Sequence, residues 1–370
     1  MERLKPFIKW AGGKEKELPI ILNNLPSNFD RYIEPFVGGG SVYLAINCNE
    51  SIINDKSDEL ILLYTLIKQN NKEFHKSLMQ INKNWIEIEN IVGDSFEELL
   101  NLYTKFKQDN SVLEKLIEDY MRKHSKELDK LLKEDLDINL YNLKCEIQKN
   151  LLSKITRMNK IEKQRGNMEN TDILNNFETA FKSAYYMYFR YLYNNKSKLK
   201  LSEEFYCAVF YFIRDYCYSS MFRYNANGDF NVPYGGISYN RKDFKKKINY
   251  IKSNDLINKL STTQLYCLDF EQFCNKIKLT EKDFMFLDPP YDTEFSTYAK
   301  NHFGKNDQIR LANYLANTKA KFMLIIKNTE FIYNLYKDRG FNIKSFDKKY
   351  LVSFMNRNDK NVEHLLITNY

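Results

Sequence analysis

Asp288-Pro289-Pro290-Tyr291 follows an apolar run, Phe284-Met285-Phe286-Leu287, that reads as a buried strand. A carboxylate and a proline-flanked carbonyl both accept hydrogen bonds. Together they can take both N–H hydrogens of an exocyclic amine while a tyrosine ring stacks on the base that carries it. Such a group strips the amine of water and holds its nitrogen as a nucleophile. Two consecutive prolines also punctuate an ordinary strand exit, so the chemistry depends on what stands beside them.

Glu34-Pro35-Phe36-Val37-Gly38-Gly39-Gly40-Ser41 follows an expected strand and precedes a helical run. That order puts a glycine turn where a ligand can approach the backbone at the strand's carboxyl end. Asp55 closes the next strand, where a carboxylate suits the ribose hydroxyls of an adenosyl ligand. The glycine spacing is not Gly-x-Gly-x-x-Gly, and no pyrophosphate-binding helix start follows, which argues against a nicotinamide dinucleotide. Phe7-Ile8-Lys9-Trp10-Ala11-Gly12-Gly13-Lys14 lacks the first glycine of a P-loop, and Lys14 is followed by Glu15, which sets nucleotide hydrolysis aside.

Short strand-like runs at both ends of the chain must position these residues: 31–34, 51–54, 263–268, 284–287, 321–326 and 363–368. They alternate with helical patterns such as 58–68 and 306–316, as the β-α units of a doubly wound sheet do. Residues 85–180 break the sheet. Apolar residues recur there at helical spacing, as in Leu113, Leu116, Ile117 and Tyr120, with glycine at 93 and 166 alone and no proline, so a helical insertion is expected. Residues 181–240 are rich in Tyr and Phe and end in a loop, Arg223 to Gly236.

The 370 residues allow two or more domains, and the formal charge is +8. Residues 91–180 carry 15 Lys and Arg against 17 Asp and Glu, so the rest of the chain is +10. A basic body with a near-neutral insert fits a nucleic-acid surface on the body. No signal peptide or membrane span is legible, and a cytoplasmic, nucleoid-associated location is expected. The six cysteines form no Cys-x-x-Cys pair and the four histidines do not cluster with them, so no metal site or disulfide framework is expected.

Four motifs in order, Phe-x-Lys-Trp-Ala-Gly-Gly-Lys, Glu-Pro-Phe-Val-Gly-Gly-Gly-Ser, Arg-Tyr-Asn-x-x-Gly-x-Phe-Asn-Val-Pro-x-Gly and Asp-Pro-Pro-Tyr, resemble those of the Dam family of S-adenosylmethionine-dependent DNA adenine-N6 methyltransferases. The resemblance covers both ends of the chain and residues 181–240. It implies a Rossmann-like, doubly wound, mostly parallel α/β sheet with a helical target-recognition domain, the extra insertion lying outside it. The expected division is 1–84 and 241–370 for the methyltransferase domain, 85–180 for the insertion and 181–240 for target recognition.

By this resemblance Trp10, Lys14, Glu34, Gly38, Gly40, Asp55 and Asp288 are cofactor contacts, and Asp288, Pro289 and Tyr291 form the catalytic group. Lys9, Tyr218, Arg223, Asn225 and Pro233 are DNA contacts. Arg223 would read guanine, Pro233 would meet a thymine methyl, Lys9 the first guanine, and Tyr218 would insert beside the flipped-out adenine. The implied donor is S-adenosylmethionine, with no metal, and the implied substrate is adenine in duplex 5′-GATC, methylated by in-line displacement. The sequence leaves open a restriction-modification or a solitary role, with or without a cognate endonuclease; a monomer or weak dimer is expected.

Ser219-Ser220-Met221 stands where related members often carry Asn-Gly-Leu, and Gly236-Ile237 replaces an Arg-Tyr pair, changes that bear on target sequence rather than chemistry. The enzymatic rival is methylation of RNA or of a protein glutamine, which shares the amine clamp. A catalytically silent DNA-binding regulator is the rival of another class.

Overall fold

The computed structural model describes residues 3–132, 138–290, 303–349 and 361–370, with backbone alone at 347–349, 361 and 362. The chain forms two compact units, Met1–Asn70 with Ile251–Tyr370, and Asn71–Tyr250.

The first unit holds seven strands: β1 (Arg31–Glu34), β2 (Glu50–Asn54), β3 (Thr263–Tyr266), β4 (Asp283–Leu287), β5 (Lys321–Lys327), β6 (Asn342–Lys349) and β7 (Asn361–Thr368). They form one mixed sheet in the order β3-β2-β1-β4-β5-β7-β6. β1 to β5 are parallel, whereas β7 runs antiparallel to both β5 and β6. Parallel strands covered on both faces need continuous apolar runs. Phe284, Met285, Phe286 and Leu287 are each fully buried. The order reverses between β1 and β4, and at such a switch point the loops leave in opposite directions and open a crevice at the strands' carboxyl ends.

All six expected strands are present, and the helices expected at 58–68 and 306–316 are Asp58–Lys68 and Lys305–Asn317. Ser57 caps the first of these by accepting from the Leu60 N–H, with Asp58 and Glu59 in the opening turn where the helix dipole favours them. β3 ends two residues early, because the Leu268 N–H turns to the side chain of Asn54 at 2.9 Å. β6 was not anticipated. It lies at the sheet edge, where one side needs no partner and Lys-rich, weakly alternating sequence is tolerated.

The second unit is helical: Lys72–Asp94, Phe96–Gln108, Leu113–Lys123, Leu140–Arg165, Asn170–Asn194 and Glu203–Tyr216 are its main elements. The expected cuts after residues 84 and 180 fall inside two of these helices, and the divisions come after Asn70 and Tyr250 instead. One aromatic core is the physical reason. Trp85 packs on Tyr216 at 4.4 Å, Phe212 at 5.4 Å and Tyr234 at 5.8 Å, which joins the expected insertion to the expected recognition segment. Lys182, fully buried, seals the same junction by pairing with Glu89 at 2.6 Å and Glu178 at 2.7 Å. A buried ammonium is tolerated only when so paired.

Candidate functional site

The glycine loop leaves β1 and is shaped by its neighbours' side chains. The Gly38 N–H donates to Asp55 Oδ2 at 3.0 Å, the Ser57 N–H to Asp55 Oδ1 at 2.9 Å, and the Tyr64 hydroxyl to the Gly38 carbonyl at 3.1 Å. Gly38 has φ +49 and Gly40 φ +73, conformations that side chains rarely adopt. Space excludes side chains as well, since a Cβ on Gly38 would lie 2.8 Å from Trp10 Cδ1 and one on Gly40 2.5 Å from the Tyr64 hydroxyl.

Asn54, which sequence reading passed over, staples three strand exits. Its amide donates to the carbonyls of Pro35 at 2.9 Å and Leu268 at 3.0 Å, while its carbonyl accepts from Leu268. The side chain is 1% exposed, so every bond replaces water it cannot reach.

Charge gathers where β1 and β4 end. Lys14, 2% exposed, forms an ion pair with Asp288 and donates to the Gly12 carbonyl at 2.8 Å. The N-terminal segment is thereby tied to the exit of β4 across 274 residues of sequence. Glu34 is buried and accepts from the Tyr32 hydroxyl at 2.6 Å. Burial pushes its carboxyl well above the usual range, opposed by that hydrogen bond and reinforced by the charge of Asp288. Burial also raises Asp55, against the N–H groups of Ser57, Gly38 and Lys56.

Neither Pro289 nor Pro290 has an N–H, so this stretch of chain can be held only through its carbonyls. Gln308, fully buried on the helix Lys305–Asn317, donates Nε2 to the Pro290 carbonyl at 3.1 Å. Among the described residues its buried Oε1 has no hydrogen-bond partner. Two residues on, Arg310 pairs with Asp269 at 2.7 Å and Glu271 at 2.8 Å just after β3. One helical turn therefore braces the exits of β3 and β4.

In the second unit the loop 217–240 is anchored on the helix Asn170–Asn194. The Tyr186 hydroxyl donates to the Val232 carbonyl at 2.9 Å, and Asn194 donates to the Phe230 carbonyl and accepts from the Phe230 N–H. Arg223 is exposed, and its Nε donates to Asn231 Oδ1 at 3.2 Å. Asn225 builds the turn itself: its Oδ1 accepts from the N–H groups of Asn227 and Asp229, and its amide reaches Asp229 Oδ2. Tyr218 is 47% exposed, its N–H donates to the carbonyl of the exposed Pro233, and Ser219 and Ser220 both take φ 52.

Of the residues singled out in the sequence, Trp10, Lys14, Glu34, Gly38, Gly40, Asp55, Asp288 and Pro289 thus belong to the first unit, at the carboxyl ends of β1, β2 and β4. Lys9 is exposed beside Trp10. Tyr218, Arg223, Asn225 and Pro233 share the loop of the second unit, and Tyr291 lies outside the described residues. Sequence reading missed Asn54, Tyr64, Gln308 and Arg310, whose signal is only a polar residue at a strand end or in a helix's first turns.

A glycine loop, a buried acid and an ion-paired carboxylate beside the switch point of a seven-stranded sheet define a Rossmann-like α/β enzyme. The family model of the D12 class N6 adenine-specific DNA methyltransferase matches residues 10–352, and the chain belongs to that family. It is 30% identical over 386 residues to the Type II methyltransferase M.MjaIII of Methanocaldococcus jannaschii, covering 99% of each chain. It is 25% identical over 372 residues to M.CviBI of Paramecium bursaria Chlorella virus NC1A, covering 99% of this chain and all of that one. The likeness to the DNA adenine methylase of Escherichia coli (strain K12) is 36% over 81 residues, 22% of this chain and 29% of that enzyme. The enzyme is an adenine-specific DNA methyltransferase, and its family implies S-adenosylmethionine as donor and DNA as substrate. Among the described residues no helix is long and apolar enough to cross a membrane.

Proposed function

We propose that the enzyme methylates N6 of an adenine flipped out of duplex 5′-GATC, with Asp288 and the Pro289 carbonyl as the amine clamp. The observation that carries this reading is the position of Asp288: it leaves a fully buried central strand, is gripped by a buried lysine, and neighbours the acid that opens the glycine loop. The tight glycine turn after β1, packed against Trp10 at Gly38 and against Tyr64 at Gly40, suits an adenosyl ligand that meets backbone rather than side chains. Trp10, Lys14, Glu34, Gly38, Gly40 and Asp55 would hold S-adenosylmethionine, which supplies an electrophilic methyl group when bound. Asp55 already accepts from the Gly38 and Ser57 N–H groups, with that of Lys56 also acting on it, so its first task is to shape the loop; a carboxylate has lone pairs left for a ribose hydroxyl.

Adenine N6 is a poor nucleophile, since its lone pair is delocalised into the ring. Acceptance of its two N–H hydrogens by Asp288 and Pro289 favours the pyramidal nitrogen and stabilises the positive charge that develops on it. Lys14 holds the carboxylate in place, and Gln308 holds the following carbonyl. Tyr291 stacks on the extruded base and Tyr218 inserts beside the vacated position. Full-length likeness to Type II enzymes supports a role in restriction-modification.

Single-molecule sequencing of DNA from a methylation-free host expressing the protein tests the reading. N6-methyladenine confined to GATC is expected; methylation confined to another sequence would refute the assigned site. Arg223→Gln should relax that specificity. Loss of a bidentate contact to guanine is worth about 1–3 kcal/mol, so kcat/KM on the cognate duplex should fall about 5- to 150-fold, with less change on duplexes altered at that guanine.

Gln308→Leu separates positioning from stability. The substitution frees the carbonyl of the exposed Pro290, which water can reach, and deletes a buried acceptor that has no partner among the described residues; removing an orphan of that kind is neutral or stabilising. The expected result is a Tm that holds or rises while kcat drops about tenfold, a misplacement effect. Unchanged turnover would show that the helix does not set the loop.

A further inference from the structure

We propose that the solvent face of the helix Leu140–Arg165 binds backbone phosphates of duplex DNA flanking the target site. The near-neutral charge of the insertion, which reads against a DNA clamp, is an average over helices of opposite character. This helix carries seven Lys and Arg against two acids, and residues 147–161 contain no acid at all. Glu162 is buried and held by the Tyr103 hydroxyl and Lys107, each at 3.0 Å, and Glu146 faces Lys149 at 3.5 Å.

The geometry sorts the cations onto one stripe. Leu143, Ile147, Leu151, Ile155 and Met158 are buried, and the opposite face presents exposed Lys149, Arg157, Lys160 and Lys163 with Ser153, Thr156 and Gln164 between them. Among the described residues Arg157, Lys160 and Lys163 have no ion-pair partner. Like charges three residues apart repel by a few tenths of a kcal/mol, and Arg157 adds to burial in lowering the Lys154 ammonium. A merely solvated helix face interleaves acids and avoids that repulsion. Cations interspersed with hydroxyls and an amide are the donor set that tracks phosphates.

The stripe's distance from the recognition loop places those phosphates outside the target site. Asn139, the N-cap of this helix, donates to the Tyr191 hydroxyl at 3.3 Å, in the same helical turn as Arg190 and Asn194, which anchor the loop. At about 1.5 Å per residue the stripe runs from about 15 to about 36 Å beyond that point, the span of roughly 4 to 10 base pairs. The substrate already binds this enzyme, so the stripe needs no further partner.

The test is the salt dependence of DNA affinity for the triple variant Arg157→Gln, Lys160→Gln, Lys163→Gln. On a duplex of about 40 base pairs its slope of log K against log salt should be shallower by about 2 to 3, at 0.9 per phosphate lost, and Kd weaker on the order of tenfold. On a duplex of about 10 base pairs centred on the target site, too short to reach Arg157, it should bind like the wild type. Tm and kcat at saturating DNA should not change, and Arg157→Lys should keep the full slope. An unchanged slope on the long duplex, or equal losses on both, would overturn the proposal, whichever residues prove to clamp the amine.

Discussion

Asp288→Ala should cut methylation of duplex DNA by at least about 10³-fold in kcat, about 4 kcal/mol of transition-state stabilisation. On the proposed mechanism the lost carboxylate accepts from the nitrogen on which positive charge develops, and no water can be oriented there as well as a side chain fixed by an ion pair. The same change strands Lys14, 2% exposed, without its charge partner. A buried ammonium left unpaired costs several kcal/mol, so Tm should drop too.

Asp288→Asn removes that ambiguity. It keeps the shape and one acceptor for Lys14, and should lower the Tm less than Asp288→Ala does while kcat still falls about 10²-fold, because a neutral amide stabilises developing charge less than a carboxylate does. Single-turnover rates with both substrates saturating read the chemical step directly. Near-normal turnover by Asp288→Ala would remove Asp288 from the mechanism, and by Asp288→Asn would remove its charge from it, although the enzyme's class would stand.

The parallel strands were legible because burial on both faces demands an unbroken apolar run, and Phe284–Leu287 and Lys321–Lys327 supply it. β6 was not, since an edge strand is covered on one side only and Asn342–Lys349 reads as a polar loop. The glycine turn could be read because positive φ demands glycine at 38 and 40. The Lys14–Asp288 pair could not, because the partners are 274 residues apart and nothing in either segment names the other. Asn54 and Gln308 escaped for a related reason: a polar residue at a strand end or in a helix's opening turns looks like a boundary until its partners are seen. The expected domain cuts follow composition, whereas the two compact units follow packing. The charged insertion and the aromatic segment differ in sequence texture yet share one core around Trp85.

Gly40→Ala should be the most damaging single-methyl change in the proposed cofactor loop. A non-glycine residue in the left-handed region costs about 1–2 kcal/mol, and overpacking a filled site typically another 1–3. The new Cβ would sit 2.5 Å from the hydroxyl of Tyr64, a fully buried ring also bonded to the Gly38 carbonyl, so the loop and the ring cannot both stay in place. S-adenosylmethionine affinity measured by calorimetry should weaken about 10²-fold, the equivalent of about 2.7 kcal/mol, and Tm should fall. Gly93→Ala is the opposite case. It lies in the helix Lys72–Asp94 with nothing within 4 Å of the added Cβ, and should raise stability by about 0.5–1 kcal/mol. The decisive variant is Gly40→Ala with Tyr64→Phe, which deletes the atom in conflict; the ring carbon behind it is 3.6 Å away, an ordinary contact. Partial recovery of cofactor affinity would show that the loop is limited by the space beneath it. No recovery would mean that the backbone angle at residue 40 alone sets the site, and then only glycine can serve there whatever its neighbours are.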